Sequence, residues 1–251
     1  MVAGLCRAIA NDFRHPVVLA KEVTTLDQLS GGRVELGLGA GFLREEYQRA
    51  GLPFDTNNVR VDRLEEALPV LDTLLRGERV THHGEHYQLD GFVNFPAPVQ
   101  RPRPPILVGG GGPRMLSLAA RYADTVALLP ASLHTGSLTD SPGARSMANV
   151  TRQVALVREA AGQRFDKLEL CLITTLASGA DRHESARSFA AQRAWQATPE
   201  EVLDMPSLLV GDTEAMLDHV EQVRAQTGVS YLVVRDSQLD LAAPLVERIK
   251  R

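Results

Sequence analysis

The chain has 251 residues, 44% hydrophobic and 23% charged, a balance that excludes disorder and suits one large domain or two small ones. A formal net charge of -4, from 27 basic and 31 acidic residues with no long basic run, argues against nucleic acid or an anionic membrane as partner. No apolar stretch approaches the ~18 residues a membrane span needs.

Arg7 interrupts any signal-peptide core near the N-terminus, and two cysteines, Cys6 and Cys171, are too few for a disulfide framework and lack metal-ligand spacing. A cytoplasmic protein with buried thiols is the expectation. The pattern then alternates short apolar strands with amphipathic helices. A strand is predicted over Leu5 to Ala10, and Pro16 opens a helix to about Ser30, with Leu19, Val23, Leu26 and Leu29 on one face and Gly31-Gly32 ending it. Val34 to Leu38 is a strand running into Gly39-Ala40-Gly41. Leu64, Leu68, Leu71 and Leu75 mark a long helix stopped by Gly77.

The proline-rich stretch 79–105 breaks the rhythm and reads as an excursion with one small hairpin. Strands are predicted at Ile106 to Val108, Thr125 to Leu129, Glu169 to Leu176 and Tyr231 to Val234. Helices are predicted from Pro113, near Asn149 to Gly162, across Asp181 to Asp204 (with a capping box at Thr198 and Glu201), over Thr213 to Thr227, and around Leu241, Leu245 and Ile249. The Ser/Gly/Thr-rich stretch 130–148 reads as a mobile loop. Six strands alternating with helices imply a parallel sheet with right-handed crossovers in a single domain.

The strongest chemical signal is Gly109, Gly110, Gly111 and Gly112, followed by Pro113 and Arg114, where a strand runs into a helix with proline at its first position. Glycines let backbone approach a ligand, and the free N–H groups of the next helical turn favour an anion such as phosphate, with Arg114 adding donors. The same run also fits a ligand-free turn. Gly37-Leu38-Gly39-Ala40-Gly41 begins like a dinucleotide fingerprint but lacks its third glycine. The polar group Asn11, Asp12, Arg14 and His15 follows the first strand, where helix capping is an equal alternative. His82-His83-Gly84-Glu85-His86 has metal-ligand residue types but no helical face to present them, so a solvated hairpin tip is expected and no metal.

These residues resemble the bacterial-luciferase-like flavin- or deazaflavin-dependent oxidoreductases. The resemblance rests on Asn11 to Glu22, Leu26 to Gly41 and Pro105 to Gly112, and continues through Ala123-Asp124-Thr125 and Leu209 to Asp212 to Gly228 through Val234. It covers nearly the whole chain and is closest to the F420-type branch. It implies a TIM (β/α)8-type barrel and a homodimer, with the cofactor ring at the C-terminal mouth. The cofactor is F420, or alternatively FMN. Carried over, its cofactor contacts are Gly109 to Gly112, Pro113 and Arg114, then Gly39, Ala40, Gly41 and Phe42, with Asn11 beside the ring. Aligned to the family, the chain begins inside the third barrel strand, so an N-terminally incomplete barrel of about six strands is expected. The position from which the family places an acidic or His residue beside the ring is then absent, and no catalytic residue is assigned.

The expected function is an oxidoreductase acting on a small organic substrate by hydride transfer or monooxygenation. The alternative is a truncated, non-catalytic barrel that keeps only a phosphate-type site or a dimer surface. A sugar-phosphate lyase or isomerase would need a base at a strand end. The three lysines, Lys21, Lys167 and Lys250, fall on predicted helices or loops.

Overall fold

Strand and helix alternate along residues 8–130, 141–179 and 181–249, which the structure, a computed structural model, describes. β1 (Ile9–Ala10) leads through a 3-10 turn, Asn11–Phe13, into α1 (Pro16–Ser30). His15 caps α1 by accepting the Val17 N–H on Nδ1 at 3.2 Å, and Gly31 ends it at φ 66°. β2 (Leu36–Gly39), α2 (Arg44–Arg49) and α3 (Asn57–Leu75) follow, and then the hairpin of β3 (Arg79–His83) and β4 (Gln88–Val93). Next come β5 (Ile106–Gly110), α4 (Pro113–Tyr122), β6 (Thr125–Leu128), α5 (Pro142–Arg145) and α6 (Met147–Ala161). The remainder is β7 (Glu169–Ile173), β8 (Thr175–Ala177), α7 (Arg182–Gln192), α8 (Pro199–Leu203), β9 (Leu208–Val210), α9 (Thr213–Thr227), β10 (Tyr231–Val233) and α10 (Leu239–Ile249).

Six parallel strands form the main sheet in the order β1-β2-β5-β6-β7-β10. The register pairs Leu38 with Val108, Gly109 with Ala127, and Ala127 with Cys171. One face packs Leu36, Leu38, Ile106, Val108, Val126, Leu128, Leu170 and Leu172 into the main core, together with Leu64, Leu68 and Leu71 of α3. The other face carries Leu107, Ala127 and Cys171, with Tyr231 and Val233 against them.

Glu35, just before β2, shows that this second face is concave. Its carboxylate accepts from Thr125 Oγ1 on β6 at 3.0 Å and from the Tyr231 hydroxyl on β10 at 3.3 Å. β2 and β10 are four strand spacings apart, roughly 19 Å in a flat sheet. One carboxylate reaches both only because the sheet curls. The fold is α/β, of the TIM-barrel type.

The structure departs from the sequence expectations at several places. The predicted strand from Glu169 to Leu176 splits at Thr174. Below the break β7 pairs with β10, and above it β8 pairs with β9, a strand the sequence reading did not assign. The region 181–204 divides into α7 and α8, with Thr198 and Glu201 forming the expected capping box. α2 was not anticipated. α5 and the start of α6 occupy the end of the predicted loop, whose residues 131–140 lie outside the described residues, as do Leu5, Cys6 and Arg7. The hairpin tip is not simply solvated. Glu66 of α3 accepts from the His86 and Tyr87 backbone N–H groups at 2.9 and 2.7 Å and pairs with His82 Nε2 at 2.9 Å, which pins the tip to the helix.

Candidate functional site

Strand order makes the three predicted turns neighbours. The turns after β1, β2 and β5 stand side by side at the C-terminal ends of adjacent parallel strands, the end at which barrel enzymes place their sites. At the turn after β2, Gly41 has φ 76°, a left-handed conformation. A Cβ there would overlap the Tyr47 hydroxyl, so both the conformation and the space require glycine. Tyr47 is fully buried and donates to Asp12 Oδ2 at 3.1 Å, welding this turn to the one after β1. Burial, with Asp12 alongside, pushes its phenol far above the ordinary tyrosine value. Arg63 of α3 completes the weld, with Nη1 2.8 Å from Asp12 Oδ1 and Nη2 2.7 Å from Asp55 Oδ2.

Arg60 stands behind the same turn, only 1% exposed. Its Nε donates to the Gly41 carbonyl at 3.3 Å, its Nη1 to the Asp55 carbonyl, and its guanidinium carbon lies 4.0 Å from the Phe54 ring centroid. Burial lowers its affinity for its proton.

The glycine run after β5 divides into two kinds of position. A Cβ on Gly110 would come within 2.5 Å of the Met115 Cβ, so Gly110 is demanded by packing. A Cβ on Gly112 meets nothing within 4 Å, and one on Gly39 meets only the Gly109 carbonyl at 3.8 Å. Gly39 and Gly112 therefore border open space that the protein's own packing does not use. Gly112 is the N-cap of α4 and Pro113 its first residue, with no side chain capping the helix, so first-turn N–H groups remain available. Gln153 of α6, 1% exposed, holds this turn by donating to the Gly111 and Leu129 carbonyls at 3.0 and 2.7 Å.

The predicted residues thus divide by location. Gly39, Gly41, Phe42, Gly111 and Gly112 border the mouth with part of their surface exposed, while Ala40, Gly109 and Gly110 form buried floor beneath them. Asn11 has no exposed surface. Its Nδ2 donates to the Tyr87 hydroxyl at 3.0 Å, and its Oδ1 is buried without a partner. Arg114 reaches across to α3, donating to Asp62 and Glu65 at 2.5 and 2.6 Å, so its charge is engaged outside the mouth.

The sequence reading missed Tyr47, Arg60, Arg63 and Gln153. Their one available signal was polar side chains inside otherwise apolar helical patterns. Two concavities of ≈ 330 and ≈ 580 Å³ lie elsewhere. The first is lined by Arg182, Asp204 and His219, and the second by Thr175, Asp181 and Phe189. Among the described residues no cluster of ligating side chains suits a metal ion, and no helix is long and apolar enough to cross a membrane.

Comparison with known proteins agrees with this architecture. Over 185 residues the chain is 32% identical to an F420-dependent glucose-6-phosphate dehydrogenase of Nakamurella multipartita, covering 73% of this chain and 50% of that protein. Over 109 residues it is 30% identical to an FMNH2-dependent dimethylsulfone monooxygenase of Pseudomonas putida, covering 43% and 30%. The chain thus spans half or less of the length of these curated relatives. The coenzyme F420-dependent tetrahydromethanopterin reductase of Methanopyrus kandleri shares the fold, with a TM-score of 0.67 and 18% identity over 89% of this chain and 74% of that one. The luciferase-like monooxygenase family matches residues 4–231, and the chain belongs to that family.

Proposed function

We propose that this protein is an F420-dependent oxidoreductase acting on a small organic substrate by hydride transfer or monooxygenation, with FMN as the alternative cofactor. One observation carries the reading. Adjacent strand ends present a glycine-walled cradle that a Cβ at Gly39 or Gly112 would narrow, and the first turn of α4 opens onto it. Those residues fit a phosphorylated cofactor. Gly111, Gly112 and the α4 N-terminus would hold the phosphate, while Gly39, Gly41 and Phe42 would line the adjoining wall. Ala40, Gly109, Gly110 and Pro113 would shape the floor and helix entry. In this reading Asn11 supports the wall from within and Arg114 braces α4 against α3.

When bound, the deazaflavin or flavin ring supplies the redox chemistry, and the protein supplies orientation and exclusion of water. F420 is favoured over FMN because, over stretches of matching length, the F420-dependent relative is the more similar, 32% identical over 185 residues against 26% over 187 for an FMNH2-dependent monooxygenase. A homodimer is part of the proposal, supported by the exposed apolar residues Val18, Leu26 and Leu29 on α1, with Phe95 and Val99 nearby in the chain's excursion. We place the protein in the cytoplasm on the family's soluble character.

A second reading, a barrel that binds an anion without turnover, is favoured by one feature. The titratable groups nearest the mouth are already tied to protein partners, Asp12 to Tyr47 and Arg63, Arg60 to Gly41, and His15 to Val17.

Fluorescence titration with F420 and with FMN tests both readings. Binding in the micromolar range is expected. Gly112→Asp, whose Cβ meets open space, should keep the fold and weaken binding about 100-fold through like-charge repulsion of the phosphate. Failure of the wild-type protein to bind either cofactor overturns the proposal. Binding without turnover of any reduced cofactor favours the second reading.

A further inference from the structure

We propose that Arg60 and Gln153 are positioning residues that aim the Phe42 and Gly112 backbone N–H groups at the anionic group of the bound ligand. The proposal rests on the cofactor reading above. In a trans peptide the carbonyl of one residue and the N–H of the next point in opposite directions. Whatever fixes the carbonyl therefore fixes where the following N–H points.

At the turn after β2, the Gly41 carbonyl is held by Arg60 Nε at 3.3 Å from α3. At the turn after β5, the Gly111 carbonyl is held by Gln153 Nε2 at 3.0 Å from α6. Both helices lie in the layer outside the curled sheet. With each carbonyl drawn back toward that layer, the Phe42 and Gly112 N–H groups face away from it, toward the mouth. Among the described residues, neither N–H donates to a protein acceptor.

The two turns are close enough to serve one ligand group. The β2–β5 ladder runs up to Leu38 and Val108, and a Cβ on Gly39 would lie 3.8 Å from the Gly109 carbonyl, so the two turns leave the sheet from adjacent strands at the same end. Phe42 and Gly112 follow directly, next to the first-turn N–H groups of α4.

Neither side chain is free to meet the ligand itself. Gln153 is 1% exposed, and its Nε2 serves two carbonyls, those of Gly111 and Leu129. Arg60 is equally buried, and its Nη2 has no partner at all. Burying a cation with one donor unsatisfied is costly, so a hydrophobic replacement would suit the core better unless the Gly41 and Asp55 carbonyls need holding. Both residues act through the backbone they orient.

The test compares ligands that differ at the phosphate: FMN against riboflavin, and F420 against its phosphate-free deazaflavin alcohol, titrated by fluorescence. The wild-type protein should prefer the phosphorylated member of at least one pair. Gln153→Met, which keeps the length and removes the donor, should cut that preference about tenfold and leave the phosphate-free affinity within about twofold. Arg60→Met should do the same through the other turn, and Arg60→Lys, which keeps the charge, replaces it if the first variant does not fold. A merely structural role would weaken both members of a pair in parallel, and that result overturns the proposal. If Gly112→Asp abolishes the preference while the Gln153 and Arg60 variants retain it, the positioning role falls and the cofactor reading stands. If the wild-type protein shows no preference in either pair, both fall.

Discussion

At the N-terminal ends of the strands, polar side chains close on one another, whereas at the C-terminal ends of β2 and β5 the backbone is left bare. The closed end is built around Arg103. Its side chain is 5% exposed, its Nε lies 2.6 Å from Asp72 Oδ1 and its Nη1 lies 2.6 Å from Asp124 Oδ2. Asp124 also accepts the Ile106 N–H at 2.8 Å, tying the ion pair to the start of β5. Nearby, Glu35 bridges Thr125 and Tyr231 across the concave face. At the open end, glycines border unfilled space, and buried side chains reach the turns only from behind. One end spends its polar groups on the protein, and the other keeps its backbone amides available. On the proposed function, conserving the fold and serving a ligand fall to opposite ends of one sheet.

Substitutions at the two ends should therefore separate stability from binding. The largest effect is expected at Arg103→Met, which takes from Asp124 its ion-pair partner and leaves Asp72 with Arg76 alone. Only the arginine is buried, the two carboxylates being 29% and 42% exposed, so the cost should sit at the low end of that for a buried pair, about 3 kcal/mol, read by denaturant unfolding, with cofactor affinity of the folded fraction unchanged. An affinity loss matching the stability loss would break the division of labour between the two ends.

Gly41→Ala should come next, at about 2–3 kcal/mol, since it combines a left-handed backbone with overlap of the Tyr47 hydroxyl. Unlike Arg103→Met it should also weaken cofactor binding. In a Tyr47→Phe background the alanine substitution should cost less than in wild type because the hydroxyl overlap is gone, while ring Cζ and Cε2, 2.8 and 3.0 Å from the added Cβ, and the backbone conformation keep part of the cost. An equal cost in both backgrounds would mean that the hydroxyl is not what the glycine accommodates.

The smallest effects belong to the concave-face bridge. Burial raises the Glu35 carboxyl above its ordinary value, with Glu169 and Asp124 adding to the rise and hydrogen bonds from Thr125 and Tyr231 opposing it. A raised carboxylate favours the folded state fully below the unfolded pKa, and that contribution is lost as pH rises through the folded pKa. Wild-type stability should therefore fall across this window relative to Glu35→Gln, whose profile should be flatter there. Asp72 shifts the other way. Burial raises it, but hydrogen bonds from Arg76 and Arg103 outweigh burial and leave it lowered, so its contribution is lost as pH falls through its folded value. Tyr231→Phe should cost about 1 kcal/mol, the scale of one hydrogen bond. A Tyr231→Phe variant as stable as wild type would show that the bridge does not hold the curl.

Much of the fold was legible because it depends on local rules. α1 was bounded by Pro16 and by Gly31 in a left-handed turn, and α9 by Asp212 and Gly228, so both helices match their predicted spans. β9 escaped notice because what makes Leu208–Val210 a strand is its pairing with β8, which no local pattern records. The break at Thr174 was equally hidden. Its cause lies in partners, since β10 pairs with one half of the stretch and β9 with the other.

The candidate site divides in the same way. Its glycines could be read directly, because glycine after a strand and before a helix has a meaning that needs no neighbours. What each glycine is for could not be read. Gly110 answers to Met115, Gly41 to Tyr47, and Gly112 to nothing in the protein. Arg114 looked like a ligand residue by position alone, and α3 lies close enough for Asp62 and Glu65 to claim it. Arg60 and Gln153 sit 19 and 42 residues from the carbonyls they hold.

The sequence by itself determined the alternation of strand and helix, the parallel sheet and the bare glycine turns, because capping, periodicity and backbone freedom act over a few neighbouring residues. Only the tertiary structure decided which carbonyls are drawn back, which glycines border open space and how far the sheet curls. Those outcomes depend on side chains that meet across the fold, and local pattern carries no record of such meetings.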